Sequence, residues 1–162
     1  MSITIIVASS SNGIIGDSKT NKMPWHCSEE LKFFKAETMG STLIMGRKTA
    51  ESVGKLPGRD SIVLSRDKHY ILPGFETMSM DNFLFEYEKD PDKKYMVCGG
   101  AEIYRLFLPH AHYSIISTFN FPAVGDIWLP VLNRRDGYKW EKMEEIVFDE
   151  FTAVKWRPWE YC

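Results

Sequence analysis

A chain of 162 residues with 44% apolar and 26% charged side chains has the composition of a soluble globular protein, and its length predicts one domain over residues 1–162. A net charge of −2 with no basic run or basic arm excludes a dedicated nucleic-acid binder. Three scattered cysteines, Cys27, Cys98 and Cys162, with no CxxC pair exclude a disulfide framework and a cysteine-based zinc site.

The chain opens on the apolar run "ITIIVAS" (3–9), which reads as a buried strand. The start carries no basic residue and is too short to span a bilayer, so a cytoplasmic protein with no membrane partner is expected. After "NKMPW" (21–25) a helix is predicted over 28–37, with Ser28 as its N-cap. Strands follow at 41–46, 61–65, 94–99 and 113–119, all rich in Ile, Val, Leu or Met. Helices are predicted between them at 47–53, 81–89 and 100–108. The segments "KLPGR" (55–59), "LPG" (72–74) and "DPDKK" (90–94) read as turns. Strand–helix alternation implies βαβ units and a mostly parallel sheet. The aromatic, alternating C-terminal stretch after residue 137 reads as an antiparallel hairpin at the sheet edge, with a short last strand.

Two glutamates open the first helix. Helical spacing places Glu30 with Cys27, Leu31 and Phe34 on the apolar face, and Glu29 with Lys32, Phe33 and Ala36 on a wetter one. Acids in a first turn favour the helix dipole, which is reason enough for both. A carboxylate on an apolar face can instead hold a cationic or amidine-like ligand and manage protons. Pattern leaves both readings open. Similarly, Gly46 with Arg47, Lys48 and Thr49, and Gly99 with Gly100, stand between a strand and a helix, where an anion can bind; tight turns explain the same glycines. His110 and His112 lack further ligands nearby, so no metal is expected. There is no GxSxG elbow, and Tyr104 by pattern is a core residue.

Taken in order, "IIVASSSNGIIG" (5–16), "NKMPW" (21–25), "EELKFFK" (29–35), "LIMGRKTAESV" (43–53), "LPGR" (56–59), "IVLSR" (62–66), "VCGGAEIYRLFLP" (97–109) and "VGDIWLP" (124–130) resemble the dihydrofolate reductase family. Each piece is weak; the ordered set is specific and covers nearly the whole chain. The resemblance implies a single-domain α/β fold with a mainly parallel, eight-stranded twisted sheet, about four flanking helices and a C-terminal antiparallel hairpin. It implies NADPH-dependent reduction of 7,8-dihydrofolate to tetrahydrofolate, in support of one-carbon and thymidylate metabolism, with antifolates as further ligands. A monomer is the expected state.

By matching position, the resemblance implies Glu30, Trp25, Ser117 and Tyr104 as catalytic residues. Glu30 stands where many bacterial members carry Asp; Ser117, where Thr is common, would brace it, and Trp25 would position a water. Ile6, Val7, Leu31, Phe34, Ser52, Val53, Leu56 and Cys98 would line the substrate cleft, and Arg59 would hold the α-carboxylate of the glutamate tail as a planar fork. Ala8, Ile15, Gly16, Asn21, Met23, Gly46, Arg47, Lys48, Thr49, Leu64, Ser65, Arg66, Cys98, Gly99, Gly100, Ala101, Ile103 and Tyr104 would contact NADPH. A cis Gly99–Gly100 bond is also implied.

Departures from the family pattern are a longer Gly16–Met23 loop, Ala50 in place of a bulky aromatic and Ile127 in place of Thr. Glu102 stands where some members place an Arg near the cofactor's 2′-phosphate, so preference for NADPH would rest on Ser65 and Arg66. The rival readings are the reductase domain of riboflavin biosynthesis, which should lack the Glu30–Arg59 combination, and a catalytically idle nucleotide-binding or interaction module, in which Glu30, Arg59, Tyr104 and the glycine turns would all be retained without use.

Overall fold

The computed structural model describes residues 1–20, 23, 25–130 and 140–159. Among the described residues, eight strands form one sheet in the order β5-β4-β3-β6-β1-β7-β10-β9. These are β1 (Ser2–Ser9), β3 (Thr42–Gly46), β4 (Asp60–Leu64), β5 (Glu76–Met78), β6 (Lys94–Val97), β7 (Tyr113–Phe119), β9 (Trp140–Val147) and β10 (Phe151–Pro158). Pairings from β5 across to β7 are parallel. Only β10 runs antiparallel to its neighbours, β7 and β9. A separate small ladder joins β2 (Ile14–Gly16) to β8 (Ile127–Trp128). Among the described residues, four α-helices connect the strands: α1 (Ser28–Thr38), α2 (Arg47–Val53), α3 (Met80–Glu86) and α4 (Ala101–Phe107).

The continuous apolar strands are explained by burial on both faces. Side chains alternate across a strand. Ile3, Ile5, Val7, Ile44, Ile62, Tyr95 and Val97 therefore pack with Phe83 of α3 and with Tyr104 and Phe107 of α4. Ile6, Leu43, Met45, Val63, Met96 and Ile115 face the other way, against Phe33 and Phe34 of α1 and Ala50 of α2. A third cluster of Cys27, Phe119, Phe151 and Ala153, with Trp25, Phe33, Phe121 and Phe148 against it, closes the antiparallel end.

Four sequence expectations need correction. Residue 27, not Ser28, holds the N-cap position of α1, in extended backbone with no side-chain cap; Ser28 is already helical. Phe33 is not on a wet face, because α1 lies between two clusters and its Phe33 ring meets Phe148 and Phe151. Leu31 is 44% exposed, while Thr38 is fully buried at the end of the Cys27–Glu30–Phe34 stripe. The last strand is not short: β10 has eight residues, sustained by ladders on both sides. The short strands β2, β5 and β8 are too brief for periodicity to show. Among the described residues no helix is long and apolar enough to cross a membrane.

Candidate active site

In open parallel sheets ligands bind beyond the carboxyl ends of the strands. Here those ends carry Ala8, Gly46, Leu64, Cys98 and Ser117, with the starts of α1, α2 and α4 close by.

Glu30 lies in the first turn of α1 and is only 7% exposed. Among the described residues no hydrogen-bond donor or cation pairs with its carboxyl group. Burial alone pushes the group up from 4.5 to about 7. Tyr104 reaches across from α4, and its hydroxyl donates to the Ile6 carbonyl at 2.9 Å. Burial raises the Tyr104 phenol well above its usual value, and the nearby Cys98 and Glu30 add to the rise. Trp25 packs on Phe119 with ring centroids 5.0 Å apart. Its indole Nε1 is buried with no partner among the described residues. Ser117 is buried on β7, level with Ala8 of β1. No hydrogen bond joins it to Glu30 among the described residues, so the implied brace is not formed in this structure.

A second buried charge, a cation, lies at the end of β4's approach. Arg59, 7% exposed, donates from Nε to the Pro57 carbonyl at 3.0 Å and from Nη1 to Thr38 Oγ1 at 3.0 Å. Thr38 in turn donates to the Phe34 carbonyl at 2.8 Å. Among the described residues no carboxylate pairs with Arg59. The Cys98 thiol is pushed up to about 12 by burial, with Arg59's charge opposing the rise. Glu30's charge thus bears on Tyr104, and Arg59's on Cys98.

The expected apolar lining is divided. Ile6, Phe34 and Leu56 belong to the α1-side cluster, with Cys98 against it. Val7 turns to the opposite face with Tyr104, because adjacent strand residues alternate. Leu31 and Val53 are 44% and 46% exposed, and Ser52 is exposed.

Part of the expected cofactor set, Gly46, Thr49, Gly99, Gly100, Ala101 and Ile103, lies at the ends of β3 and β6 and the starts of α2 and α4. The Gly99–Gly100 bond is cis, and Gly99 has φ +122°, a region that favours glycine. The Gly46 amide donates to the Gly99 carbonyl at 2.8 Å, holding the β3 and β6 ends together. A Cβ on Gly46 would sit 2.9 Å from Ile103 Cγ1, and one on Gly99 would meet the Tyr104 hydroxyl at 3.3 Å and Thr49 Oγ1 at 3.7 Å. Glycine at these points lets the start of α4 pack closely on the ends of β3 and β6. Ala101 and Ile103 belong to α4, while Leu64 is buried and Ser65 follows it. The expected cofactor arginines are exposed and already engaged. Arg47 lies 3.8 Å from Glu51, and Arg66 pairs with Glu102 at 2.7 Å. Lys48 is exposed on α2, Ile15 and Gly16 lie on β2, and Met23 is 46% exposed. Asn21 lies outside the described residues.

Several contacts escape sequence reasoning. The Ser18 amide donates to Asp126 Oδ1 at 2.8 Å, and the Ser18 hydroxyl also donates to Asp126. Gly125 lies so close that a Cβ on it would sit 2.5 Å from the Gly16 carbonyl oxygen. The root of the Gly16–Met23 loop is thereby tied to the β8 approach. Cys27 Sγ donates to Glu150 Oε2 at 3.1 Å, linking the start of α1 to the β9–β10 turn. Residues more than a hundred positions apart leave no periodic signal; the "GD" of "VGDIWLP" was the one available hint. Among the described residues no group of three or more His, Cys, Asp or Glu side chains could hold a metal ion.

The sequence model of the family described as dihydrofolate reductase matches residues 2–158. A dihydrofolate reductase of Haemophilus influenzae is 36% identical over 158 residues, covering 95% of this chain and 90% of that protein. One from Neisseria gonorrhoeae is 37% identical over 155 residues, with 94% of each chain covered. Among solved structures, dihydrofolate reductase from Enterococcus faecalis complexed with NADP(H) and RAB-propyl superposes with a TM-score of 0.85 at 25% identity, covering 97% of this chain and 96% of that one. With the matching sheet and the buried acid on α1, this places the chain in the dihydrofolate reductase family, as an oxidoreductase.

Proposed function

We propose that this chain reduces 7,8-dihydrofolate to 5,6,7,8-tetrahydrofolate with NADPH, adding hydride at C6 and a proton at N5. The observation that carries this reading is a pair of buried charges that the described residues leave unpaired: Glu30 without a cation, and Arg59 without a carboxylate. A pterin with a glutamate tail supplies what each lacks. Its amino group and ring N–H give a carboxylate two parallel donors. Its tail carboxylate suits the guanidinium fork, which Thr38 and the Pro57 carbonyl hold in place.

A carboxyl group held near 7 exists in both protonation states at neutral pH. Ionised, it anchors the pterin; protonated, it is a source for the N5 proton, carried by water or a ring tautomer. Trp25, whose buried indole N–H has no partner among the described residues, would position such a water. Tyr104, fixed on the Ile6 carbonyl, stays a neutral phenol and forms a wall between pterin and nicotinamide. NADPH, when bound, supplies the hydride. Gly46, Gly99, Gly100 and Thr49 would give it close backbone approach, with Ser65 and Arg66 at its 2′-phosphate. The enzyme works as a cytoplasmic, single-domain monomer and binds antifolates in the same cleft.

Absorbance at the NADPH band tests this, first with dihydrofolate and then with the ribosylated pyrimidine of riboflavin biosynthesis. Turnover is expected with the first alone. Turnover of the pyrimidine, or of neither compound, rejects the reading.

A further inference from the structure

The β4 strand ends at Leu64, and Ser65 and Arg66 leave its carboxyl edge. Glu102 is the second residue of α4, just after the cis glycine pair. Thirty-six residues apart in sequence, Arg66 Nη2 and Glu102 Oε1 meet at 2.7 Å. In dinucleotide-binding folds generally, an acidic side chain near the ribose accepts its hydroxyls when the ribose is unphosphorylated, whereas an arginine accommodates a 2′-phosphate. Both kinds of residue stand here, bound to each other. The second exposed arginine, Arg47, also has a carboxylate beside it, Glu51 at 3.8 Å.

We propose that Glu102 is a specificity-determining residue: it competes with the cofactor's 2′-phosphate for Arg66, narrows the preference for NADPH and lets the enzyme use NADH as well. This rests on the reading above, in which the phosphate lies at Ser65 and Arg66. To bind NADPH, Arg66 must exchange its carboxylate for the phosphate, and the freed Glu102 then faces a group of like charge. NADH needs no exchange, and Glu102 can accept its ribose hydroxyls. The pair is open to water, with side chains 93% and 67% exposed, so the effect is modest and sensitive to salt.

Calorimetric binding of 2′-phospho-ADP-ribose and ADP-ribose reads this without turnover. Glu102→Gln should tighten the phosphorylated ligand by about three- to tenfold, without tightening ADP-ribose, and the gain should shrink at high salt. The ratio of kcat/KM for NADPH over NADH should rise by a similar factor. In an Arg66→Gln background the gain should fall to about half or less, as coupled neighbours require. An unchanged ratio, an equal gain for both ligands, or a full gain without Arg66 overturns the proposal. Dihydrofolate turnover with saturating NADPH is a separate measurement, so the functional reading can stand while this inference falls, and the reverse.

Discussion

Two sets of charged residues in the candidate site treat charge in opposite ways. In the set proposed for substrate, Glu30 and Arg59 are both 7% exposed, and neither has a partner of opposite charge among the described residues. In the set proposed for the cofactor, Arg47 and Arg66 are open to water and each lies beside a glutamate. Coulomb interactions grow several-fold as the surroundings become less polar, so a buried lone charge is costly in the empty protein and selective toward a ligand. A solvated pair costs little, contributes about 0–1 kcal/mol and tunes rather than decides. Substitutions in the buried set should therefore have large effects, and substitutions in the exposed set small, screened ones.

The largest effect is expected at Glu30. Glu30→Gln should lower kcat/KM for dihydrofolate by about 10²–10⁴-fold, the range for losing a positioned acid–base group. Glu29→Gln should change it by less than about twofold, since a dipole contact acts on stability alone. Equal losses from both would break the assignment of roles. Stability should move the other way. The folded protein holds the Glu30 proton up to about 7, above the ordinary 4.5, so this group's favourable contribution is complete below 4.5 and lost as pH rises through 7. Above pH 7 the ionised buried group costs about 3 kcal/mol. Glu30→Gln should thus melt several degrees higher than the parent at pH 8, with the gap closing in acid. For the same reason, turnover should fall as pH rises past 7, because the protonated form disappears; a profile flat from pH 6 to 9 would argue against Glu30 as proton source.

Arg59 comes next. Arg59→Leu should raise the KM for dihydrofolate by about 10–100-fold, the usual cost of a hydrogen bond to a charged group, with a smaller change in kcat. A pterin lacking the glutamate tail should not register the change. Thr38→Val removes the support for the guanidinium together with the bond to the Phe34 carbonyl, so a loss of about three- to tenfold in kcat/KM is expected with the tailed substrate and little change with an untailed one. Smaller still is Glu150→Ala, which frees the Cys27 thiol and loosens the tie between the β9–β10 turn and α1. A drop of about 1 kcal/mol, or 2–4 °C in Tm, should result. Glu102→Gln closes the series with an effect that high salt erases, which no buried site should show.

Much of the fold was legible locally. Runs of Ile, Val, Leu and Met marked the long parallel strands, since strands buried on both faces are apolar throughout. The strands β2, β5 and β8 were missed because two or three residues hold no period. For the site, Glu30's place on the buried stripe followed from helical spacing, but its neighbours did not. Spacing chose Leu31 for that stripe and left Phe33 outside. Thr38 ends the stripe instead, because α1 rests between two clusters of a twisted sheet and buries a broader face than one ideal stripe.

By itself, then, the sequence determined the strand and helix order, the family through its ordered motifs, and the residue types able to hold a pterin, a carboxylate tail and a dinucleotide. Only the tertiary structure decided which charges stand alone and which are paired. Thr38 meets Arg59, Cys27 meets Glu150, Ser18 meets Asp126, and Arg66 meets Glu102. The reason is that periodicity reports which face a residue takes within its own element, whereas pairing depends on distance across a sheet whose strand order permutes the chain. The same glutamate can be a buried acid near 7 or a solvated partner for arginine, and the sheet order, not the residue type, separates Glu30 from Glu102.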